Sequence, residues 1–345
     1  MKRLIATSAT VLLAVPLTLL VMQGAPGGVS ASAKAPTASV VAQARTKFIK
    51  VMSAHAPAVG QGGWVSPGAE HRGGVPSAAN GAVTGNQSIN WSGYADAETG
   101  SNTISQVSGD WTMPAVQCLP APYENQDAFL ANWVGIDGFT DQTVEQLGTA
   151  AQCYEGVKYY YVWYEMYPAG TVEEGTTLCI NDNVACPQPG DQISASVVVT
   201  PAGSGENSYK LTLTDHTRPD ESFSTTQQCA ATTCEDASAE WIVERPAALP
   251  PPPAPVQVLP LADFGRTFFS RADVDSGGKL SSIQGFQDGP VYDISMIDDT
   301  DSYYLACVGQ PSPPGSLLTL GQANACPTAS PFPGGGFEES WDSSF

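Results

Sequence analysis

Histidine is nearly missing from this chain. Three occur in 345 residues, at positions 55, 71 and 216. His55 and His71 lie in an N-terminal stretch without sustained periodicity, and His216 sits in the polar, turn-like "TDHTRPD". A serine or cysteine nucleophile needs a placed base, most often an imidazole, to take its proton. That supply is almost exhausted. Metal ligands are no better provided. The chain has no HExxH, and none of its eight cysteines forms a CxxC, so zinc hydrolysis and dithiol redox chemistry are disfavoured and no metal or cofactor is expected.

Positive charge is scarce too. The chain carries 14 Lys and Arg against 34 Asp and Glu, a formal net charge of -20. From Asn86 onward, 33 acidic residues face 7 basic ones. This sign is wrong for a nucleic-acid partner. It suits work in acid, where protonation relieves self-repulsion, although acidity for solubility alone explains the composition as well.

Long apolar runs are lacking beyond the first residues, which argues against a membrane partner. The opening "MKRLIATSATVLLAVPLTLLVMQGAPGGVSASA" reads as a secretory signal peptide. It has Lys2 and Arg3, an apolar core from Val11 to Val21, and a small-residue cleavage site at Ala31-Ser32-Ala33. Pro16 and the short run speak against a membrane anchor. Residues 1–33 are therefore expected to be removed and the product secreted, which agrees with an even cysteine count. Eight cysteines permit 105 pairings. Cys179–Cys186 and Cys229–Cys234 are the expected ones, since each would pin a short loop.

Residues 34–85 are rich in Ala, Gly, Pro, Ser and Val and read as a removable extension. Within it, "ARTKFIKVMSAHA" suggests a short basic amphipathic helix. Its Lys34, Arg45, Lys47, Lys50 and Arg72 face Glu70 alone. The extension is thus expected to sit on the acidic body as an acid-sensitive inhibitor, with a disordered spacer as the alternative.

Residues 86–345 read as one β domain, and a monomer is expected. "QISASVVVT", "YKLTLT", "KYYYVWYEMYP", "GRTFFS" and "VYDISMI" are strand-like runs separated by turn residues. Many short antiparallel strands predict an all-β, two-sheet antiparallel β-sandwich of the concanavalin-like or jelly-roll type. The proline-rich stretch at 245–260 reads as a surface loop. "DVDSGG" at 273–278 looks like the serine region of chymotrypsin-type proteases, but no partner histidine motif precedes it. Its twelfth position is Gln284 where a calcium loop wants Glu. It reads as a turn.

Carboxylates and amides are what remain for acid–base work. "NWSGY" from Asn90, "WVGIDG" from Trp133, the Gln of "VEQLG", "VWYEMYP" from Val162, "AEWIVE" from Ala239 and "PLADFG" from Pro260 follow in order. Together they resemble the eqolisins, the glutamic peptidase family, from about Asn90 to about Ser270. The resemblance implies a secreted acid endopeptidase on a β-sandwich, acting on polypeptides. It places the family's catalytic Gln on Gln146, thirteen residues after Trp133, and its Glu on Glu240. It makes Trp91, Trp133, Asp137 and Glu165 supporting residues. For the tryptophans, core or groove packing is the competing role, and for Trp241 the favoured one. Asp137 is alternatively the close of a turn.

The chemistry this implies is coherent. Glu240, with a pKa near the ordinary value of about 4.3, would act as general base in acid. Gln146 would donate to the oxyanion through its amide. By strand alternation Glu145 points to the opposite face, and Glu244 is expected to lie past the strand's useful end. The chain departs from the family pattern at Asp141-Gln142, at Ala150 and in its long proline run, leaving Gln142 and Gln152 as competitors of Gln146. A glycoside hydrolase using Glu165 with Glu240, or a lectin with exposed aromatics, are the rival readings of such a sandwich.

Overall fold

The structure is a computed structural model. It describes residues 37–52, 64–65, 83–98, 100, 103–139, 141–174, 187–202, 206–231, 233–248, 257–297, 304–308 and 336–341. Cys179, Cys186, His55, His71, the signal sequence and the proline run at 249–256 lie outside these residues.

In chain order the elements are helix α1 (Ala38–Met52), β1 (Trp64–Val65), β2 (Val83–Ser88), β3 (Trp91–Ala97), β4 (Ile104–Thr112), β5 (Ala128–Ile136) and β6 (Val144–Tyr154). They continue with β7 (Val157–Tyr167), β8 (Thr171–Glu174), β9 (Gln192–Thr200), β10 (Ser208–Asp215), β11 (Phe223–Gln228) and β12 (Ser238–Glu244). The last are β13 (Ala247–Ala248), β14 (Gln257–Val258), β15 (Arg266–Ser276), β16 (Lys279–Ser282), β17 (Val291–Ile297), β18 (Tyr304–Val308) and β19 (Phe337–Trp341). After residue 86 the described residues hold no helix beyond two short 3-10 turns.

The strands form the expected all-β sandwich. One layer runs β8-β7-β6-β5-β12-β3-β17-β2-β1, and the other runs β11-β10-β9-β4-β15-β19. Strand β18 pairs with β17 of the first layer and β19 of the second, joining them. Only the β2–β17 pairing is parallel among the described ladders.

Period-two alternation sends one set of side chains between the layers. Val134, Leu147, Trp241 and Val243 of the first layer pack with Val107, Val197, Leu211 and Val274 of the second. Indole donors tie the layers, since Trp241 Nε1 donates to the Ser108 carbonyl at 2.8 Å and Trp111 Nε1 to Thr149 Oγ1 at 3.0 Å. Trp241 is therefore core, as anticipated. The disulfide Cys229–Cys234 is present, and a second joins Cys118 to Cys153. "DVDSGG" forms the β15–β16 hairpin, with Gly277 and Gly278 at φ of 55° and 79°, a left-handed geometry that glycine adopts without strain. The proline-rich stretch leaves and returns through the β13–β14 pair.

The other face of the first layer is also apolar and also covered. Trp91, Trp133, Ala150, Tyr161, Trp163 and Ile242 point there and form one buried cluster with residues of α1. That helix was anticipated from its basic amphipathic sequence but begins earlier, at Ala38. Its Val41, Ala44, Phe48 and Met52 are buried at helical spacing, and Phe48 stacks on Tyr161 at 4.0 Å between centroids. Arg45 pairs with Glu173, and Lys47 with Asp127. Strand β2 runs across the boundary expected at residue 86.

Candidate active site

On the α1-facing side of the first layer, register lines up one row of residues across five strands. Glu165 of β7 pairs with Gln146 of β6, and Gln146 with Gly135 of β5. Gly135 pairs with Glu240 of β12, and Glu240 with Ala95 of β3. Adjacent strands lie about 4.8 Å apart, so the Gln146 and Glu240 backbones stand about 10 Å apart. Both side chains rise from the same face, and the residue between them has none. A Cβ on Gly135 would lie 2.9 Å from Trp133 Cζ3 and 3.1 Å from Gln146 Cβ. Only glycine therefore fits between these two positions without a neighbour having to shift.

Gln146 is buried and oriented. Its Nε2 donates to Glu165 Oε2 at 2.9 Å, and Glu165 Oε1 accepts from Thr171 Oγ1 at 3.1 Å. One amide hydrogen is thereby committed, while the second and the carbonyl oxygen, which has no described partner, remain for chemistry. Glu240 is fully buried. Burial pushes its pKa well above the usual carboxylate value; the Ser238 hydroxyl opposes this, and Asp137, Asp141 and Asp96 add to it. The expectation of a near-ordinary pKa is therefore corrected. Burial thus favours the protonated form of Glu240.

Asp137 does not face the gap. It directly follows β5, at φ 69°, and grips the approach to β12. Its carboxylate accepts from the backbone amides of Glu235 and Asp236 at 2.9 Å each and of Ala237 at 2.7 Å. Burial, then Asp141, raises its pKa, opposed by the Ala237 and Asp236 amides. Trp91 and Trp133 wall the α1-facing side, edge to face at 5.0 Å and 76°.

Among the competitors, Gln142 is exposed in the turn before β6. Gln152 shares the face but lies six residues further along β6, where Tyr161 Oη donates to its Oε1 at 3.1 Å. Glu145 points between the layers, as alternation requires. His216 is exposed and meets Ser194 Oγ at 2.8 Å.

Two residues escaped the sequence reading. Gly135 looked like any residue of "WVG" until register placed it in the row. Glu244 is not past the strand's end but is the last residue of β12, on the same face as Glu240 and buried. The period-two spacing from Glu240 was the available signal.

The profile of the Peptidase A4 family matches residues 89–308. The chain belongs to this family, the eqolisins. It is a glutamic-type peptidase. No curated protein matches the chain. Among solved structures, scytalido-glutamic peptidase with a transition state analog inhibitor superposes with a TM-score of 0.51 at 20% identity, over 74% of this chain and 98% of that one. SCP-B, described as a member of the Eqolisin family and bound to the tripeptide Ala-Ile-His, gives 0.49 at 19% identity, over 74% and 98%. Aspergilloglutamic peptidase from Aspergillus niger gives 0.39 at 24%, over 62% and 99%. At these identities the likeness concerns the fold. The eqolisin match replaces the glycoside hydrolase and lectin readings.

Proposed function

We propose that this peptidase is a secreted acid endopeptidase in which Glu240 is the general base and Gln146 the oxyanion and water-positioning partner. The observation that carries the reading is the row Gln146–Gly135–Glu240, with both polar side chains flanking one glycine on one face. A water between them would give its proton to Glu240 as it attacks the scissile carbonyl. The remaining Gln146 N–H would donate to the oxygen as negative charge develops, and protonated Glu240 would return the proton to the leaving amine. A placed base contributes about 10² to 10⁴ in rate, and one oxyanion donor about 10² to 10³. Glu165 holds Gln146 in orientation, Trp91 and Trp133 line the substrate side, and Asp137 fixes the strand that carries Glu240.

The same proposal covers the precursor. Residues 1–33 are a signal peptide, 34–85 an inhibitory extension and 86–345 the catalytic domain, working as a monomer. Helix α1 covers the aromatic floor beside the dyad row, and the pairs Arg45–Glu173 and Lys47–Asp127 support this reading. Removing it would rehydrate this face and let Glu240 fall toward its ordinary pKa. Two disulfides are described, and no described helix is long and apolar enough to cross a membrane.

Glu240→Gln and Gln146→Ala, each matured and folded, test the dyad in a digestion of denatured casein at about pH 4. The expected result is cleavage by the parent enzyme, resistant to pepstatin and chelators, and none above background by Glu240→Gln. Full activity in either variant ends the assignment. Equal maturation rates in neutral and acidic buffer would end the acid-sensitive part of the precursor reading.

A further inference from the structure

Glu244 takes no part in the chemistry just described, yet it is fully buried on the same face, two row positions from Glu240. Each of its oxygens has a donor. Trp133 Nε1 donates to Oε2 at 2.8 Å, and Asn90 Nδ2 donates to Oε1 at 3.2 Å. Asn90 is held in turn by Ser88, whose hydroxyl donates to Asn90 Oδ1 at 3.0 Å.

The other end of the same indole lies at the dyad. Trp133 Cζ3 and Cε3 come within 2.9 and 3.3 Å of the place a Cβ on Gly135 would take, beside Gln146 Cβ. One rigid ring therefore runs from the Glu244 carboxylate to the single residue separating Gln146 from Glu240. An indole has one donor and no acceptor. A ring turned over would fill similar volume but leave that donor, and the buried carboxylate, without each other. The hydrogen bond chooses between orientations that packing alone would not separate.

We propose that Glu244 is a positioning residue for the peptidase reaction: by holding Trp133 Nε1 it fixes the indole edge that walls the gap between Gln146 and Glu240, and so fixes where the scissile carbonyl can sit. The inference rests on the dyad reading above. It makes Glu244 act through Trp133, on turnover more than on substrate affinity.

The test is a cycle on the matured full-chain enzyme, combining Glu244→Leu with Trp133→Phe, which keeps a ring but has no N–H. Residues sharing one hydrogen bond couple, whereas independent ones add. Glu244→Leu is expected to lower kcat about tenfold with KM changed less than about twofold, and to cost less than about twofold in the Trp133→Phe background. Glu244→Gln, which retains an acceptor, is expected to keep kcat within about threefold of the parent. Multiplying losses in the double variant overturn the inference. Should Glu244→Leu not fold, Trp133→Phe alone decides, because unchanged kcat there overturns it equally. A Glu240→Gln enzyme that still cleaves peptides defeats the dyad reading, whereas an inactive one with an additive cycle defeats this inference alone.

Discussion

At Gln146 the question is what one amide can do when half of its donors are spoken for. Glu165 takes one hydrogen at 2.9 Å and is itself fixed by Thr171, so the carboxamide plane is set before substrate arrives. Leaving a buried donor without its partner costs about 1–3 kcal/mol, and each 1.36 kcal/mol is about tenfold in rate. Glu165→Ala is therefore expected to lower kcat by roughly 10- to 100-fold, with KM less affected, in steady-state peptide cleavage; an unchanged kcat means Gln146 is oriented some other way. Gly135→Ala places a methyl against Trp133 and Gln146 Cβ. Overpacking of this kind costs about 1–3 kcal/mol, and here it also pushes the dyad apart, so a fall in Tm and a loss of most activity should appear together. Gln146 and Glu240 can be singled out as candidates from the sequence because each sits in a short motif, "VEQLG" and "AEWIVE". Gly135 and Glu244 cannot, since their meaning lies in register between strands far apart in sequence, which one chain read in order does not display.

Helix α1 shows what an element can say before it is placed. Its apolar positions Val41, Ala44, Phe48 and Met52 recur at helical spacing, and Arg45 and Lys47 announce an acidic partner. Nothing in the helix names that partner, because Glu173 and Asp127 belong to separate strands or loops of the sandwich. Docking joins an apolar contact, which salt leaves in place, to two ion pairs, which salt screens. Phe48→Ala removes a stacked buried ring, and such truncations cost about 3–5 kcal/mol where fully packed. The precursor carrying it is expected to mature faster than the parent at neutral pH and at any ionic strength. Arg45→Ala with Lys47→Ala is expected to accelerate maturation most at low salt. If gel-monitored maturation is unchanged by Phe48→Ala, α1 is not what limits access to the site.

Across the molecule, buried carboxylates set the direction of the pH response. Asp96 is fully buried with no described partner on either oxygen, and burial, with Glu98 nearby, raises its pKa well above the ordinary value. Burial likewise raises Glu145, with Asp137, Asp141 and Asp236 adding to it, and it raises Asp137 and Glu240 as described. A carboxyl whose folded pKa exceeds its unfolded value binds more protons when folded. Its contribution to stability is complete below the unfolded pKa, about 3.9 to 4.3, and is lost as pH rises through the folded value. With α1 in place the four groups act together, and the chain that retains it is expected to be most stable in acid, with Tm falling from about pH 4 toward pH 8. Asp96→Asn keeps the shape and removes one ionisation. It is expected to leave the acid Tm nearly unchanged and to raise the neutral one by a few degrees, since about 1 kcal/mol moves Tm by roughly 2–4 °C in a domain of this size. Calorimetry of parent and variant across that range decides the matter. A parent Tm that is flat or climbs toward neutral pH would mean these carboxylates ionise with adequate solvation in the folded state. Any tolerance of acid would then rest on the surface charge alone, through the net charge of -20.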